Sequence, residues 1–130
     1  MIKSHSLTDY IDEMGYVSHI ESIKIQKESQ VLLLIEIDSE DTKCIIPGKL
    51  FEYMVSNRPI LAFGPKHTDV EVILNETNTG EYFYYNDYDN LKSTIRKYFN
   101  AFMEGNLKTQ AIGLQKYSRK ALTKKLTEIL

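Results

Sequence analysis

The chain has 130 residues, enough for one domain with a hydrophobic core of useful size. Its 42% hydrophobic and 26% charged residues are ordinary for a soluble globular protein and exclude disorder as the default state. A formal net charge of -2 excludes a global field that would attract nucleic acid. No apolar run approaches the roughly 18 residues of a membrane span, and the first residues do not resemble a signal peptide.

The single cysteine, Cys44, excludes an internal disulfide framework and fits a reducing cytoplasm. We expect it to be a small buried hydrophobic residue rather than a catalytic thiol. His5 and His67 have no partners at metal-ligand spacing, so neither a metal site nor a cofactor is predicted.

The first third of the chain predicts one helix. Residues 1–14 are weakly patterned and predict a helix end followed by a short strand. Ser18 and Glu21 then have the spacing of a capping box, which predicts a helix that ends near Ser29. The residues expected on its inner face are Ile20 and Ile23.

The middle of the chain predicts two buried strands joined by a helix. Residues 31–37 (VLLLIEI) are almost continuously apolar, as is typical of a parallel strand covered on both faces. Pro47 suits the first turn of a helix that runs to about Ser56 and is closed by Asn57. Residues 60–63 form the second strand. The helix residues expected to face the core are Leu50 and Met54.

A third helix and strand follow. Thr68 and Glu71 form another capping box, which opens a helix to about Glu76. A turn at residues 78–80 leads into an aromatic strand at residues 81–85. We attribute the tyrosines of this strand (Tyr82, Tyr84 and Tyr85) to half-burial rather than to stacking on a ligand. The helix residues expected to face inward are Val70, Ile73 and Leu74.

The last part of the chain predicts further helices. Residues 87–104 carry apolar side chains at helical spacing and are closed by Gly105. Residues 107–130 are predicted to be helical in two pieces, broken near Ser118. The alternation of strands and helices predicts an α/β fold, a Rossmann-like sandwich around a parallel sheet. Because three strands are few for such a sheet, its first half is expected to be missing. The apolar stripe of the final helix comprises Leu122, Leu126, Ile129 and Leu130.

The start of the helix at Pro47 is the first candidate binding site. In an open parallel sheet, ligands bind beyond the carboxyl ends of the strands, and this helix start follows such an end. Free amides, a positive helix end, Gly48 and Lys49 together suit a diphosphate, although the spacing is not that of a Walker loop. Alternatively, Gly48 only shapes the turn and Lys49 is solvated.

Glu52 is the second candidate. It lies one helical turn after Lys49, so a surface ion pair between the two is one interpretation. In the other, Glu52 accepts hydrogen bonds from two vicinal sugar hydroxyls, which the two oxygens of a carboxylate suit well. For His19, we expect a polar contact at the predicted cap rather than a ligand contact.

Residues 46–62 (IPGKLFEYMVSNRPILA) resemble the P-x-K-x-x-E-Y-x-x-x-x-x-P-I signature of retaining, family-4-like glycosyltransferases of the GT-B fold. The turn Gly15-Tyr16-Val17, the strand at 31–34, the helix and turn at 72–80 and the segment at 117–123 follow in the family's order. The resemblance covers about residues 15–130.

The resemblance implies roles for individual residues. Glu52 would bind the ribose of the donor, and Lys49 would hold the diphosphate with the amides around Pro47 and Gly48. The backbone around Tyr16 and Val17 would lie near the nucleobase.

One position departs from the family's pattern. Many such enzymes carry a second Glu eight residues before the ribose Glu, where it faces the transferred sugar, and here that position is Cys44. Glu40 and Asp41 are close by but out of register. Contacts to the sugar are therefore in doubt.

The resemblance also implies that residues 1–130 are a single, partial C-terminal domain of a two-domain enzyme. Its partners would be a UDP or GDP sugar and the N-terminal acceptor domain, with no nucleic acid. Sugar would pass to a glycan or lipid-linked acceptor, in the cytoplasm or at the inner membrane face through the intact enzyme. We expect no transfer from this chain alone, and an apolar face on its final helix that the other domain would cover.

Two other classes are compatible with the length and element pattern. The first is a non-catalytic α/β interaction module or a partner subunit of a transferase. The second is a phosphoacceptor receiver domain, which needs an acidic cluster after the first strand and an Asp after the third. This chain supplies neither.

Overall fold

The computed structural model describes residues 5–37, 39, 41 and 44–129. Strands and helices alternate along the chain, as the sequence predicts. Short 3-10 turns occur at Thr8–Tyr10 and Leu114–Tyr117. The helices and strands are α1 (His19–Glu28), β1 (Leu32–Ile35), α2 (Gly48–Val55), β2 (Ile60–Phe63), α3 (Asp69–Thr77), β3 (Gly80–Phe83), α4 (Tyr88–Met103) and α5 (Arg119–Thr127).

The described strands form a parallel sheet of order β1-β2-β3, in which Leu32 is paired with Ile60 and Ile60 with Gly80. This confirms the α/β class and the parallel sheet. One face of the sheet carries the core, where α2 and α3 pack on the strands. The helix residues predicted to face inward are buried there: Leu50, Met54, Val70, Ile73 and Leu74.

The prediction that β1 is covered on both faces is wrong. Leu32 and Leu34 are buried, whereas Leu33 and Ile35 on the other face are 54% and 64% exposed. No described element covers these two side chains, and on the same face residues of α4 border a cavity of about 360 Å³ beside Leu61 of β2. The cavity is lined by Gln30, Val31, Leu61, Ile95, Tyr98, Phe99, Phe102 and Leu107.

Helix starts are set by the predicted caps. The Ser18 hydroxyl accepts from the Glu21 amide at 3.2 Å, and the Thr68 hydroxyl accepts from the Glu71 amide at 3.1 Å. The Glu71 carboxylate reaches back to the amide of His67, one residue before the cap, at 2.9 Å. Both predicted helix starts are therefore confirmed.

Several local predictions are wrong. Ile20 is exposed because it lies about 120° around α1 from Gln26, the residue that the helix buries. Cys44 is exposed rather than buried. Within residues 5–14 there is a 3-10 turn and no strand, while residues 1–4 lie outside the described part.

The segment at residues 107–113 is not helical, contrary to prediction. Its backbone is bound to the end of α3 instead: the Ile112 amide donates to the Thr77 carbonyl at 2.9 Å, and the Asn78 side chain donates to the Gln110 carbonyl at 3.1 Å. Gly113 then turns the chain with a φ of 65°. The break at Ser118 is confirmed, since its hydroxyl caps α5.

The outer surface of α5 is apolar in part. Leu122, Leu126 and Ile129 are exposed, whereas Leu130 lies outside the described residues. None of the described helices has the length and apolar character needed to cross a membrane.

Candidate functional site

The start of α2 lies at the carboxyl edge of the sheet, because the chain reaches it from the end of β1. Pro47 is the residue before the helix, and its side chain cannot cap the first turn. The first amides of α2 therefore have no side-chain cap. Among the described residues, no heavy atom lies within 4 Å of the point that a Cβ on Gly48 would occupy, and Lys49 is exposed. The described part of the chain thus leaves this helix end exposed.

Glu52 faces α1. One of its oxygens, Oε2, accepts from Gln26 Nε2 at 3.3 Å, and the other, Oε1, lies 4.0 Å from His19 Nδ1. The Glu52 side chain is 39% exposed, so it borders solvent. Among the described residues no ion pair joins Glu52 to Lys49. The structure therefore does not support the interpretation of Glu52 as the partner of Lys49 in a surface ion pair.

The start of α1 lies near Glu52, because His19, its first residue, has its Nδ1 atom 4.0 Å from Glu52 Oε1. Tyr16 is fully exposed and Val17 is partly buried, after a left-handed turn at Gly15 with a φ of 65°. In the part of the chain that the structure describes, no hydrogen bond joins Tyr16 or Val17 to α2.

A polar cluster at the end of β1 was not predicted. Glu36 is buried, and its Oε2 accepts from the Tyr82 hydroxyl at 2.5 Å and from the Thr68 hydroxyl at 3.2 Å. Its main-chain carbonyl accepts from the Tyr85 hydroxyl. A Cβ on Gly64 would lie 2.2 Å from the Tyr82 oxygen, so only glycine leaves room for the cluster.

The Glu36 cluster (Glu36, Thr68, Tyr82 and Tyr85) anchors the strand end from which the chain leads to α2. The sequence signal was one acidic residue in the apolar run VLLLIEI. A buried carboxylate needs donors, and here the half-buried tyrosines of the third strand supply them. Their half-burial was predicted, but their partners were not.

The cavity beside Glu52 is small. It has a volume of about 160 Å³ and lies between α1 and α2. Among the residues that the structure describes, no group of three His, Cys, Asp or Glu side chains could hold a metal ion.

Alkaline pH should destabilise the fold through two half-buried tyrosines. Burial, with a further contribution from the charge of Glu81, raises the pKa of Tyr98 to about 12, and burial and the bond to Glu36 raise the pKa of Tyr82 as well. The unfolded value is about 10, so this stabilisation is complete below pH ~10 and is lost as the pH rises through the folded values. We expect the free energy of unfolding in urea to fall above pH ~10.

The Tyr98→Phe and Tyr82→Phe variants should each show a shallower decline than the wild type. Tyr10→Phe, at an exposed ring, is the matched control and should leave the decline unchanged. Equal slopes in all four proteins would contradict the prediction.

Comparison of the chain with protein-family models, with curated proteins and with solved structures gives no match. The fold and the site thus define an α/β domain with a parallel sheet and a polar, open carboxyl edge.

Proposed function

We propose that this chain is the nucleotide-sugar-binding part of a glycosyltransferase with the GT-B fold, and that it binds a UDP or GDP sugar. The observation that carries the proposal is the position of Glu52. It lies in the second turn of a helix that starts at the sheet's carboxyl edge, and it is partly exposed. One of its oxygens is bonded to Gln26 of α1 and the other lies 4.0 Å from His19.

The spacing along α2 suits a nucleoside diphosphate. Gly48 and Glu52 are separated by about 6 Å along the helix axis and by about 40° around it. A diphosphate at the helix start would accept hydrogen bonds from the free amides and would be attracted by the positive charge of Lys49. The neighbouring ribose would then lie over Glu52, whose two oxygens accept from its vicinal hydroxyls.

The turn before α1 supports a place for the base. Tyr16 is fully exposed next to the helix that carries His19, so its ring is available to stack on a nucleobase. Val17, the next residue, is partly buried. In the proposal, the backbone at these two residues borders the base.

Among the described strands β1 pairs only with β2, which supports the view that the sheet continues at its other edge. The Leu32 amide donates to the carbonyl of Pro59, just before β2, and the Glu36 amide donates to Phe63 of β2. The amides of Leu33 and Ile35 therefore point away from β2. The side chains of Leu33 and Ile35 are also exposed, whereas parallel sheets are normally covered on both faces. In the proposal, further strands and the acceptor-binding domain of the whole enzyme adjoin this edge.

Calorimetry with UDP and GDP tests the proposal. Glu52→Ala should weaken nucleotide binding about 5- to 150-fold, because a charged hydrogen-bond acceptor contributes about 1–3 kcal/mol. Glu28→Ala, at an exposed carboxylate at the end of α1, is the matched control and should bind like the wild type. Absence of binding to the wild type, or equal affinity of the Glu52→Ala variant, would reject the proposal.

Cys44 favours a second candidate, a non-catalytic interaction module or a partner subunit of a transferase. Many enzymes of the family that the sequence resembles have a carboxylate toward the sugar at this position, and here there is an exposed thiol. A subunit should form a stable complex with a chain that carries the acceptor domain. Light scattering of the two mixed chains distinguishes this candidate, which predicts a complex without sugar transfer.

A further inference from the structure

Gln26 is a polar residue at a buried position. It is the residue that α1 buries, whereas the apolar Ile20 of the same helix is exposed. Burial of an amide is unfavourable unless its hydrogen bonds are made. The side-chain amide of Gln26 therefore needs hydrogen-bond partners at this position.

The Gln26 amide joins α1 to Glu52. Its Nε2 donates to Glu52 Oε2 and to Ser22 Oγ, both at 3.3 Å. A carboxylate can only accept, so the nitrogen of the amide and not its oxygen must face Glu52. The two amide hydrogens are thus assigned to two acceptors.

The geometry points to Gln26 as a positioning residue for Glu52, an inference that rests on the proposed function. Gln26 holds Oε2, which leaves Oε1 on the side of His19, a residue whose side chain is 68% exposed. The carboxylate plane is thereby held with Oε1 on the side of the exposed His19, while Oε2 keeps a second lone pair beside Gln26. Each oxygen can then accept from one of the two ribose hydroxyls. Gln26 itself would not touch the nucleotide.

The surroundings explain why such a holder is needed. The cavity of about 160 Å³ between α1 and α2 is lined by Gln26 and Glu52 together with Ile23 and Val55. This space gives the carboxylate room to rotate away from solvent when the bond to Gln26 is lost. Removing the amide should therefore reduce the fraction of molecules with Glu52 correctly oriented.

Gln26→Leu tests the role, with UDP, 2′,3′-dideoxy-UDP and pyrophosphate as probes in calorimetry. We expect about a three- to tenfold loss of affinity for UDP, as for one hydrogen bond, and unchanged affinity for the two probes that lack the vicinal hydroxyls. In a Glu52→Ala background, Gln26→Leu should have no further effect. Ser22→Ala, which removes only the other acceptor of Gln26, is the control and should bind UDP like the wild type.

Thermal unfolding of each variant checks that the fold is intact, and Gln26→Met is the second variant at the same position. An equal loss for all three probes, or a loss that persists without Glu52, would show a structural role and overturn the inference. Unchanged UDP affinity in both Gln26 variants would overturn it while leaving the proposed function in place. If the wild type binds none of the probes, the proposed function fails, and the positioning role fails with it.

Discussion

Replacement of Leu50 by alanine should lower the free energy of unfolding by about 2–5 kcal/mol, the usual cost of emptying a buried leucine site. Leu50 is fully buried and packs in the core between α2 and the sheet. This loss is the sum of two contributions: the transfer free energy of the side-chain atoms that are removed, and the cost of the cavity that they leave behind. Urea denaturation at neutral pH measures it, with Val55→Ala, at an exposed position of the same helix, as the matched control.

The effect is large for a domain of this size, because native domains are stable by only about 5–15 kcal/mol. Leu50 also follows Lys49 directly in α2. Its packing therefore stabilises the fold and also holds the proposed binding helix against the sheet. If Leu50→Ala and Val55→Ala lose the same small amount, α2 does not pack on the sheet as described.

Replacement of Gly80 by alanine should be similarly damaging. A Cβ at Gly80 would lie 2.2 Å from the main-chain oxygen of Ile60, its partner in the neighbouring strand. Backbone cannot move aside as a side chain can, so β2 and β3 would have to separate. We expect a loss at or above the upper end of the range of about 1–3 kcal/mol for overpacking, measured by urea denaturation.

Gly48→Ala is the matched control for this substitution, because a Cβ there meets no atom within 4 Å. Its free energy of unfolding should stay close to that of the wild type. Equal losses at both glycines would show that the close approach of β3 to β2 is not as described.

The elements that the sequence predicted correctly are those with strong local signals. The helix that Thr68 opens and the strand at residues 60–63 are found as expected, as is the left-handed Asn57 that follows α2. Caps and turns act through hydrogen bonds within one turn of the chain, and apolar spacing acts over two or three turns. Such signals can be recognised without knowing the rest of the fold.

The incorrect predictions share a different cause. Residues 107–113 are predicted to be helical together with the segment that follows them, but their backbone binds the end of α3, about 30 residues earlier in the chain. Residues 31–37 read as a strand covered on both faces, yet no described element covers Leu33 and Ile35. In both cases the outcome depends on which other segments are adjacent, and apolar spacing does not contain that information.

The candidate site divides in the same way. The order of Pro47, Gly48, Lys49 and Glu52 at a helix start was predicted from the sequence. The contact of Glu52 with Gln26 was not, because these residues lie 26 positions apart. The Glu36 cluster was missed for the same reason, since Glu36 and Tyr82 are separated by 46 positions.

The sequence by itself determined the class of fold, the order of its elements and the spacing of Lys49 and Glu52 along one helix, because these follow from caps and apolar periodicity within neighbouring turns. Only the tertiary structure decided that Gln26 and Glu36 are buried, that Glu52 faces α1 and that one side of β1 stays exposed. Burial of a polar group depends on donors and acceptors that distant segments bring to it, and folding alone brings those segments together.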